Sequence, residues 1–347
     1  MKIRDKKVLV TGGAGFIGSN LVDLLIAEGN TVIVLDDFST GKKENLKKAE
    51  ATGKLRLVEG SIMDYELVSR LISEVQLVFH MAVQCLRLSF TNPVLVHEIN
   101  ATGTLNLLRA CVEGAPVQSE GILKNTSQIE RFVYVSSSEV YGSAKTAPMS
   151  EAHPLDPTTV YGASKLAGEL YAQSHYHSYG LPVLVIRPFN SYGYREHWEG
   201  ASGEVIPRFA ARISNGQAPI IFGDGEQTRD FTFVTETANG MLCAAECDAL
   251  IGQSVNVAYG REVSIKTIAE LLLQKMKRTD LKVEYMPERP GDVRRHYADT
   301  TLLTKSTGFR PKLSIEEGLD LFLPWFESEF KKDPQLIASV HTRNWQG

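Results

Sequence analysis

Cysteine is scarce in this sequence: Cys85, Cys111, Cys243 and Cys247 are the only four among 347 residues. None forms a CxxC pair or stands at ligand spacing from a histidine, which argues against a zinc centre or a disulfide scaffold. Cys243 and Cys247 share a helical face, but two ligands do not hold a metal, and none is expected. Reduced core thiols in a cytoplasmic protein are the expectation instead. No run of about 20 apolar residues occurs, as a membrane-spanning helix requires. The opening stretch MKIRDKKVLVTGG enters a strand with no apolar segment of signal-peptide length. Charge of one sign is lacking too: 37 basic residues face 41 acidic ones, a formal −4, with no polybasic run. Neither nucleic acid nor an anionic membrane surface is therefore an expected partner. No internal repeat or low-complexity stretch is found. What is present is an ordinary globular composition, 43% hydrophobic and 22% charged. The length suits a nucleotide domain with a second lobe.

The first half reads as alternating strands and helices. Lys7 to Thr11 is a short apolar run that stops at a glycine pair, as a central parallel strand does. Gly12, Gly15 and Gly18 follow, with Phe16 and Ile17 between them, and an amphipathic helix is expected from about Ser19 to Glu28. Glycines so spaced permit a tight turn, close backbone approach to a pyrophosphate, and close helix–strand packing. The helix N-terminus then offers free amides to the phosphates. A second strand, Thr31 to Leu35, ends at Asp36, eighteen residues after Gly18. A carboxylate there can bind ribose hydroxyls and repel a 2′-phosphate, which favours NAD over NADP. Strands are expected at Leu55–Glu59, Gln76–His80, Arg131–Val135 and Leu181–Arg187. The loop Met81–Gln84 lies where ligands bind in a doubly wound sheet. Asn100, an amide within the amphipathic stretch 94–112, is open between a structural role and a ligand contact. Residues 114–129 read as a polar surface excursion.

Tyr161-Gly162-Ala163-Ser164-Lys165 opens a long helix, capped by the hydroxyls before Val160. Four residues apart, Tyr161 and Lys165 share a helix face. A nearby ammonium favours the phenolate, making Tyr161 a candidate general base for a hydroxyl proton. The alternative is a tyrosine and a lysine on a half-buried helix. The serines that end the fifth strand, in SSSEVYG, point hydroxyls into the same crevice, where one can bond both a substrate oxygen and a catalytic phenol; a serine-rich turn is the alternative.

TGGAGFIG, SSSEVYG, YGASK, RPFNSYG, FGDGEQTRDF and PGDVRRHYAD occur in that order and cover nearly the whole chain. Together they resemble the extended short-chain dehydrogenase/reductase family, in particular its nucleotide-sugar epimerases. The resemblance implies an α/β fold: a doubly wound parallel sheet (Rossmann) with a smaller C-terminal α/β substrate-binding lobe. The NAD-binding domain is expected at 1–187, with about 232–262 returning to it, and the substrate lobe mainly at 188–347. The resemblance also implies a homodimer joined by the helices around 94–112 and 160–178. By analogy Ser137, Tyr161 and Lys165 are the catalytic group. Gly12, Gly15, Phe16, Ile17, Gly18, Asp36, Ser61, Ile62, Gln84, Asn100, Tyr161 and Lys165 form the NAD site. The substrate, expected to be a UDP-linked sugar, would meet Arg87, Ser137, Ser138, Glu139, Asn190, Arg195, Val205, Arg229, Arg289, Asp292 and His296. Arg229 and Arg289 are the arginines expected on its two phosphates, with Arg294 and Arg295 behind them, because guanidinium donors match phosphate oxygens.

The implied reaction is oxidation and re-reduction at the sugar C4, with the 4-keto sugar turning over in between. Dehydratase relatives carry Thr-Asp-Glu where this chain has Ser137-Ser138-Glu139, and UDP-glucuronate decarboxylases carry Thr-Ser-Glu. Ser138 removes the dehydratase acid, whereas Ser138-Glu139 also fits the decarboxylases; QTRDF and PGDVRRHYAD favour an epimerase. A non-catalytic NAD-binding regulator would be expected to lose the Tyr/Lys pair, which is kept. Ser61 replaces the usual aspartate near the adenine. Arg87, Arg195 and His296 offer partners for a sugar carboxylate, and a bulky His296 disfavours an N-acetyl group.

Overall fold

The computed structural model describes residues 1–113, 128–288 and 293–332. Most of the expected polar excursion, 114–127, lies outside the described residues. In chain order the nucleotide half contains β1 (Lys7–Thr11), α1 (Phe16–Ala27), β2 (Thr31–Asp36), α2 (Lys47–Glu50), β3 (Leu55–Glu59), α3 (Tyr65–Ile72) and β4 (Leu77–His80). It continues with α4 (Pro93–His97), α5 (Thr104–Val112), β5 (Arg131–Val135), α6 (Val160–Tyr179) and β6 (Val183–Pro188). The second half adds β7 (Asn190–Tyr192), α7 (Val205–Ser214), β8 (Ile220–Phe222), β9 (Thr228–Arg229), β10 (Phe231–Phe233), α8 (Val234–Glu246) and β11 (Ser254–Val257). It ends with β12 (Val263–Ser264), α9 (Ile265–Lys275), β13 (Glu284–Met286), α10 (Thr301–Thr307) and α11 (Ile315–Lys332).

Seven strands form one parallel sheet in the order β11-β6-β5-β4-β1-β2-β3. Alternation along each strand explains the two cores. Val8 and Val10 enter one, with Leu21, Leu25 and Val34, while Leu9 enters the other with Ile33, Val78 and Leu107. Both faces being covered, the strands need continuous apolar runs, as the sequence supplies. The chain reverses its direction of growth between β1 and β4, and that topological switch opens a crevice at the strands' carboxyl ends. β11 and α8 from the second half join this sheet, and α10 packs on both. The second lobe has its own core, where Trp198, Phe209, Phe322 and Phe326 bring α7, α9 and α11 together. Three two-stranded sheets, β7 with β10, β8 with β13 and β9 with β12, complete it.

The stretch 94–112 departs from a single helix. Between α4 and α5 the backbone widens into a π-helical segment, Glu98–Gly103, which contains Asn100. Such widenings often mark functional regions. Here Asn100 Oδ1 accepts from Gln84 N at 2.8 Å, and its Nδ2 donates to Gln84 O at 3.1 Å and Ser164 Oγ at 3.0 Å. The amide thereby ties the loop after β4 to α6, the structural one of its two readings.

Helix α6 is fixed along its whole length. Thr159 Oγ1 caps it by accepting from Gly162 N at 3.0 Å, and left-handed Gly180 ends it. Midway, Glu169 is fully buried and forms an ion pair with Arg187 of β6, itself only 3% exposed. Arg187 Nε donates to Glu169 Oε2 at 3.1 Å, and Nη2 reaches the other oxygen. Ser136 and Ser254 donate to the same carboxylate at 3.0 and 2.9 Å, so β5, β6 and β11 all meet α6 at one group. Breaking a buried pair strands a charge, which costs about 3–5 kcal/mol. Glu169→Ala should lower the unfolding free energy by about that amount in urea titration, and adding Arg187→Met should restore part of it. A loss below about 1 kcal/mol would show that the pair does not hold the helix.

Candidate active site

The glycine turn after β1 is built for close approach. Gly12 has φ +69°, and a Cβ there would lie 2.7 Å from Ala82 N; one on Gly18 would lie 2.2 Å from Gly12 O. Neither position tolerates a side chain. Helix α1 begins at Phe16, three residues before the expected start, because Gly15 is its cap and Ser19 N already bonds Gly15 O at 3.0 Å. No side chain caps it, so its positive end faces the crevice. Asp36 closes β2, with Oδ2 accepting from Ala14 N at 2.8 Å and Oδ1 from Phe38 N at 2.9 Å. Burial pushes its pKa up, and the two amides oppose that.

Tyr161, Lys165 and Glu169 follow one another at four-residue steps along α6. Ser137, just beyond β5, places its hydroxyl where it favours ionisation of the Tyr161 phenol and accepts from Glu139 N at 3.2 Å. The direct phenol–ammonium attraction expected from sequence is not what dominates here. Lys165 Nζ lies over the Tyr134 ring, 4.4 Å from its centroid, and burial lowers its pKa to about 7 while Glu169 pulls the other way. The phenol is itself pushed up by burial; the Ser137 hydroxyl opposes that, and the carboxylates of Glu139 and Glu204 add to it. Desolvation outweighs attraction because both partners are buried.

A single cavity of about 500 Å³ joins these groups. It is lined by Gly12, Gly15, Phe16, Ile17, Gly18, Asp36, Ser61, Ile62 and Gln84 at the β1–β3 side. Ser137, Ser138, Glu139, Tyr161 and Lys165 line its middle, and Arg87, Asn190, Val205 and Arg229 its other walls. Asn190 Oδ1 is buried with no hydrogen-bond partner among the described residues, an orphaned polar atom on the wall of a cavity. Arg229 Nη1 donates to Thr228 O and Val293 O at 2.8 and 2.7 Å.

Other candidates stand elsewhere. Asn100 sits behind Gln84, as described. Arg195, in a left-handed conformation (φ +70°), turns to Asp23 on α1, with Nη2 2.7 Å from its carboxylate. It joins the lobes rather than facing the cavity. His296 is buried behind the wall, 5.0 Å from the Phe189 ring and with Nε2 3.4 Å from Ser138 O. Burial lowers its pKa to about 4, so it is neutral at pH 7 and offers a carboxylate no charge. Arg294 and Arg295 pair on the surface with Asp224 and Glu262. Arg289 and Asp292 lie outside the described residues. Sequence reasoning missed Glu169, whose signal was its four-residue step from Lys165. It also missed Glu204, the residue before Val205, which lines the cavity and pairs with Arg87.

The chain matches, over residues 9–322, the family described as GDP-mannose 4,6 dehydratase. A putative UDP-glucose 4-epimerase of Methanocaldococcus jannaschii is 34% identical, the match covering 92% of this chain and 98% of that protein. A UDP-N-acetylglucosamine 4-epimerase from Methanobrevibacter ruminantium, solved with UDP-N-acetylmuramic acid, superposes with a TM-score of 0.85 at 34% identity, covering 94% and 99% of the two chains. A dTDP-glucose 4,6-dehydratase from Streptomyces venezuelae, solved with NAD, gives 0.85 at 29% identity, covering 95% and 99%.

Lys165 should stand apart from every ordinary lysine in this protein. With ¹³C-labelled lysine, one side-chain resonance of the cofactor-free protein should titrate near pH 7 and vanish in Lys165→Met. The unfolded lysine titrates near 10.4, so the unfolded state holds the extra proton between about pH 7 and 10 and this group's contribution to stability rises across that window. A titration at the ordinary lysine value would contradict the assigned burial.

Proposed function

The chain belongs to the GDP-mannose 4,6-dehydratase family, and we propose that it is an NAD-dependent nucleotide-sugar 4-epimerase. Its substrate class is a UDP-hexose or UDP-hexuronic acid, converted through a transient 4-keto sugar. The observation carrying this reading is the one cavity that runs from the glycine turn and Asp36, past Ser137, Tyr161 and Lys165, to Asn190 and Arg229.

The cradle fits NAD. At Gly12 and Gly18 the backbone crowds out any Cβ, as a pyrophosphate-binding turn requires, and the uncapped α1 N-terminus suits its charge. Asp36 is suited to the adenosine ribose and opposes a 2′-phosphate; Ser61 and Ile62 flank the adenine end, and Lys165 the nicotinamide ribose. When bound, NAD supplies the reversible two-electron oxidation at C4.

The chain's own groups handle protons and orientation. As the phenolate, Tyr161 takes the C4 hydroxyl proton and returns it on re-reduction, with the Ser137 hydroxyl favouring that ionised form against the burial that opposes it. Lys165 is the nearest compensating positive charge along α6. Asn190 can turn its amide Nδ2 and Arg229 its guanidinium toward the diphosphate, while the orphaned Asn190 Oδ1 can accept only from a ligand N–H or O–H. Ser138 carries no carboxyl group, so a dehydration would lack an acid there. Homodimerisation belongs to the same reading: Phe90, Val94 and Leu105 on one segment and Val160, Leu170 and Tyr171 on α6 expose their apolar side chains. Four free thiols suit a reducing, cytoplasmic setting.

Purified protein should be incubated with UDP-glucose, UDP-galactose, their N-acetyl forms and UDP-glucuronate, and the products read by NMR. A 4-epimer without net NADH is expected; released carbon dioxide or a 4-keto-6-deoxy sugar would overturn the reading. Tyr161→Phe should lose turnover by about 10²–10⁴-fold or more while retaining NAD. Activity kept by that variant would remove Tyr161 as the base.

A further inference from the structure

Arg87 and Glu204 meet across the cavity, the first from the turn after β4 and the second from the cap of α7. Arg87 Nη1 and Nη2 donate to Glu204 Oε1 and Oε2 at 3.1 and 3.0 Å, a two-pronged pair. The arginine side chain is 14% exposed and that of Glu204 41%, so the guanidinium is the embedded member. Its Nε is buried without a partner among the described residues.

Glu139 also acts on Arg87, and Glu139 and Glu204 both act on the Tyr161 phenol. Glu139, Glu204 and the already paired Arg87 thus share a wall of the cavity that a sugar enters when its C4 hydroxyl reaches Tyr161, with Lys165, Arg208, Arg212 and Arg229 also lining that cavity. A two-pronged arginine–carboxylate pair is among the stronger hydrogen-bonded contacts. A sugar carboxylate arriving there must displace Glu204 from Arg87 and then remain beside it and Glu139. A hydroxymethyl group carries no charge and has a hydroxyl to donate to either carboxylate.

We propose that Glu204 is a specificity-determining residue: by occupying Arg87, it restricts the site to nucleotide sugars with an uncharged hexosyl group and turns away those carrying a carboxylate at C6. This rests on the epimerase reading and narrows its substrate class to the UDP-hexose.

The test uses two readouts, so that binding is judged apart from turnover. Calorimetry on the NAD-loaded enzyme gives Kd for UDP-glucose and UDP-glucuronate, and NMR gives kcat/KM for both. The wild type should favour UDP-glucose by more than about tenfold in each, since apposed like charges are costly. Glu204→Gln frees Arg87 and should shrink both preferences by about tenfold or more. Adding Arg87→Gln to it should abolish the uronate affinity gained. A wild type that binds UDP-glucuronate as well as UDP-glucose overturns the proposal. So does an unchanged ratio in a Glu204→Gln protein whose circular dichroism is native. Were that variant unfolded, the wild-type ratio alone would decide. Discrimination in binding without turnover of either sugar would leave the specificity role standing and overturn the epimerase reading instead.

Discussion

The ion pair between Glu169 and Arg187 determines where chemistry can occur in this molecule. It is buried on both sides and takes further hydrogen bonds from Ser136 and Ser254, so three strands and α6 are referenced to one carboxylate. Ser136 directly precedes Ser137, and Glu169 lies one helical step beyond Lys165 and two beyond Tyr161. The distance from strand end to helix face, on which any proton transfer between Ser137 and Tyr161 depends, is thus set by this junction. Arg187 Nη1 also donates to Tyr141 OH at 2.8 Å, which in turn donates to Asn256 on β11. Helix α6 is held by polar groups that tolerate little slippage, since any unpaired member would be a buried charge or polar group without a partner.

Desolvation is the second constraint. It raises the Tyr161 pKa and lowers that of Lys165, so the cofactor-free site holds its prospective base and its cation nearer to neutrality than water would. Such a site is poised to respond to charge brought in by ligands. Around it the anionic side chains Glu139 and Glu204 and the paired Arg87 set what kind of sugar is welcome. The lobes are also stitched together over the cavity by Asp23–Arg195, Lys42–Glu199 and Arg87–Glu204. Each pair joins the sheet domain to residues 195–204, so cofactor and substrate share one enclosure.

Much of this was legible in the sequence, for identifiable reasons. The β1–glycine–α1 unit and Asp36 are local: strand period, turn glycines and a spacing of eighteen residues suffice to locate them. The Tyr161–Lys165 step is equally local. What resisted reading depends on contacts distant in sequence. Asn100 could not be assigned until Gln84 and Ser164 were seen on either side of it. Arg195 looked like a pocket residue because of its place after RPFNSYG, but its left-handed backbone aims it at Asp23. His296 was placed at the sugar by its neighbours in sequence, and packing against Phe189 sets it behind the wall. Glu204 was invisible as a partner of Arg87 because 117 residues separate them.

The central claim is that one enclosed cavity removes hydrogen from a sugar C4 and returns it to the same carbon. UDP-glucose deuterated at C4 tests it most directly, with the product examined by mass spectrometry and NMR. The account predicts UDP-galactose that keeps its deuterium at C4, with none lost to water. Exchange of that deuterium with solvent, or its absence from the inverted carbon, would contradict the account.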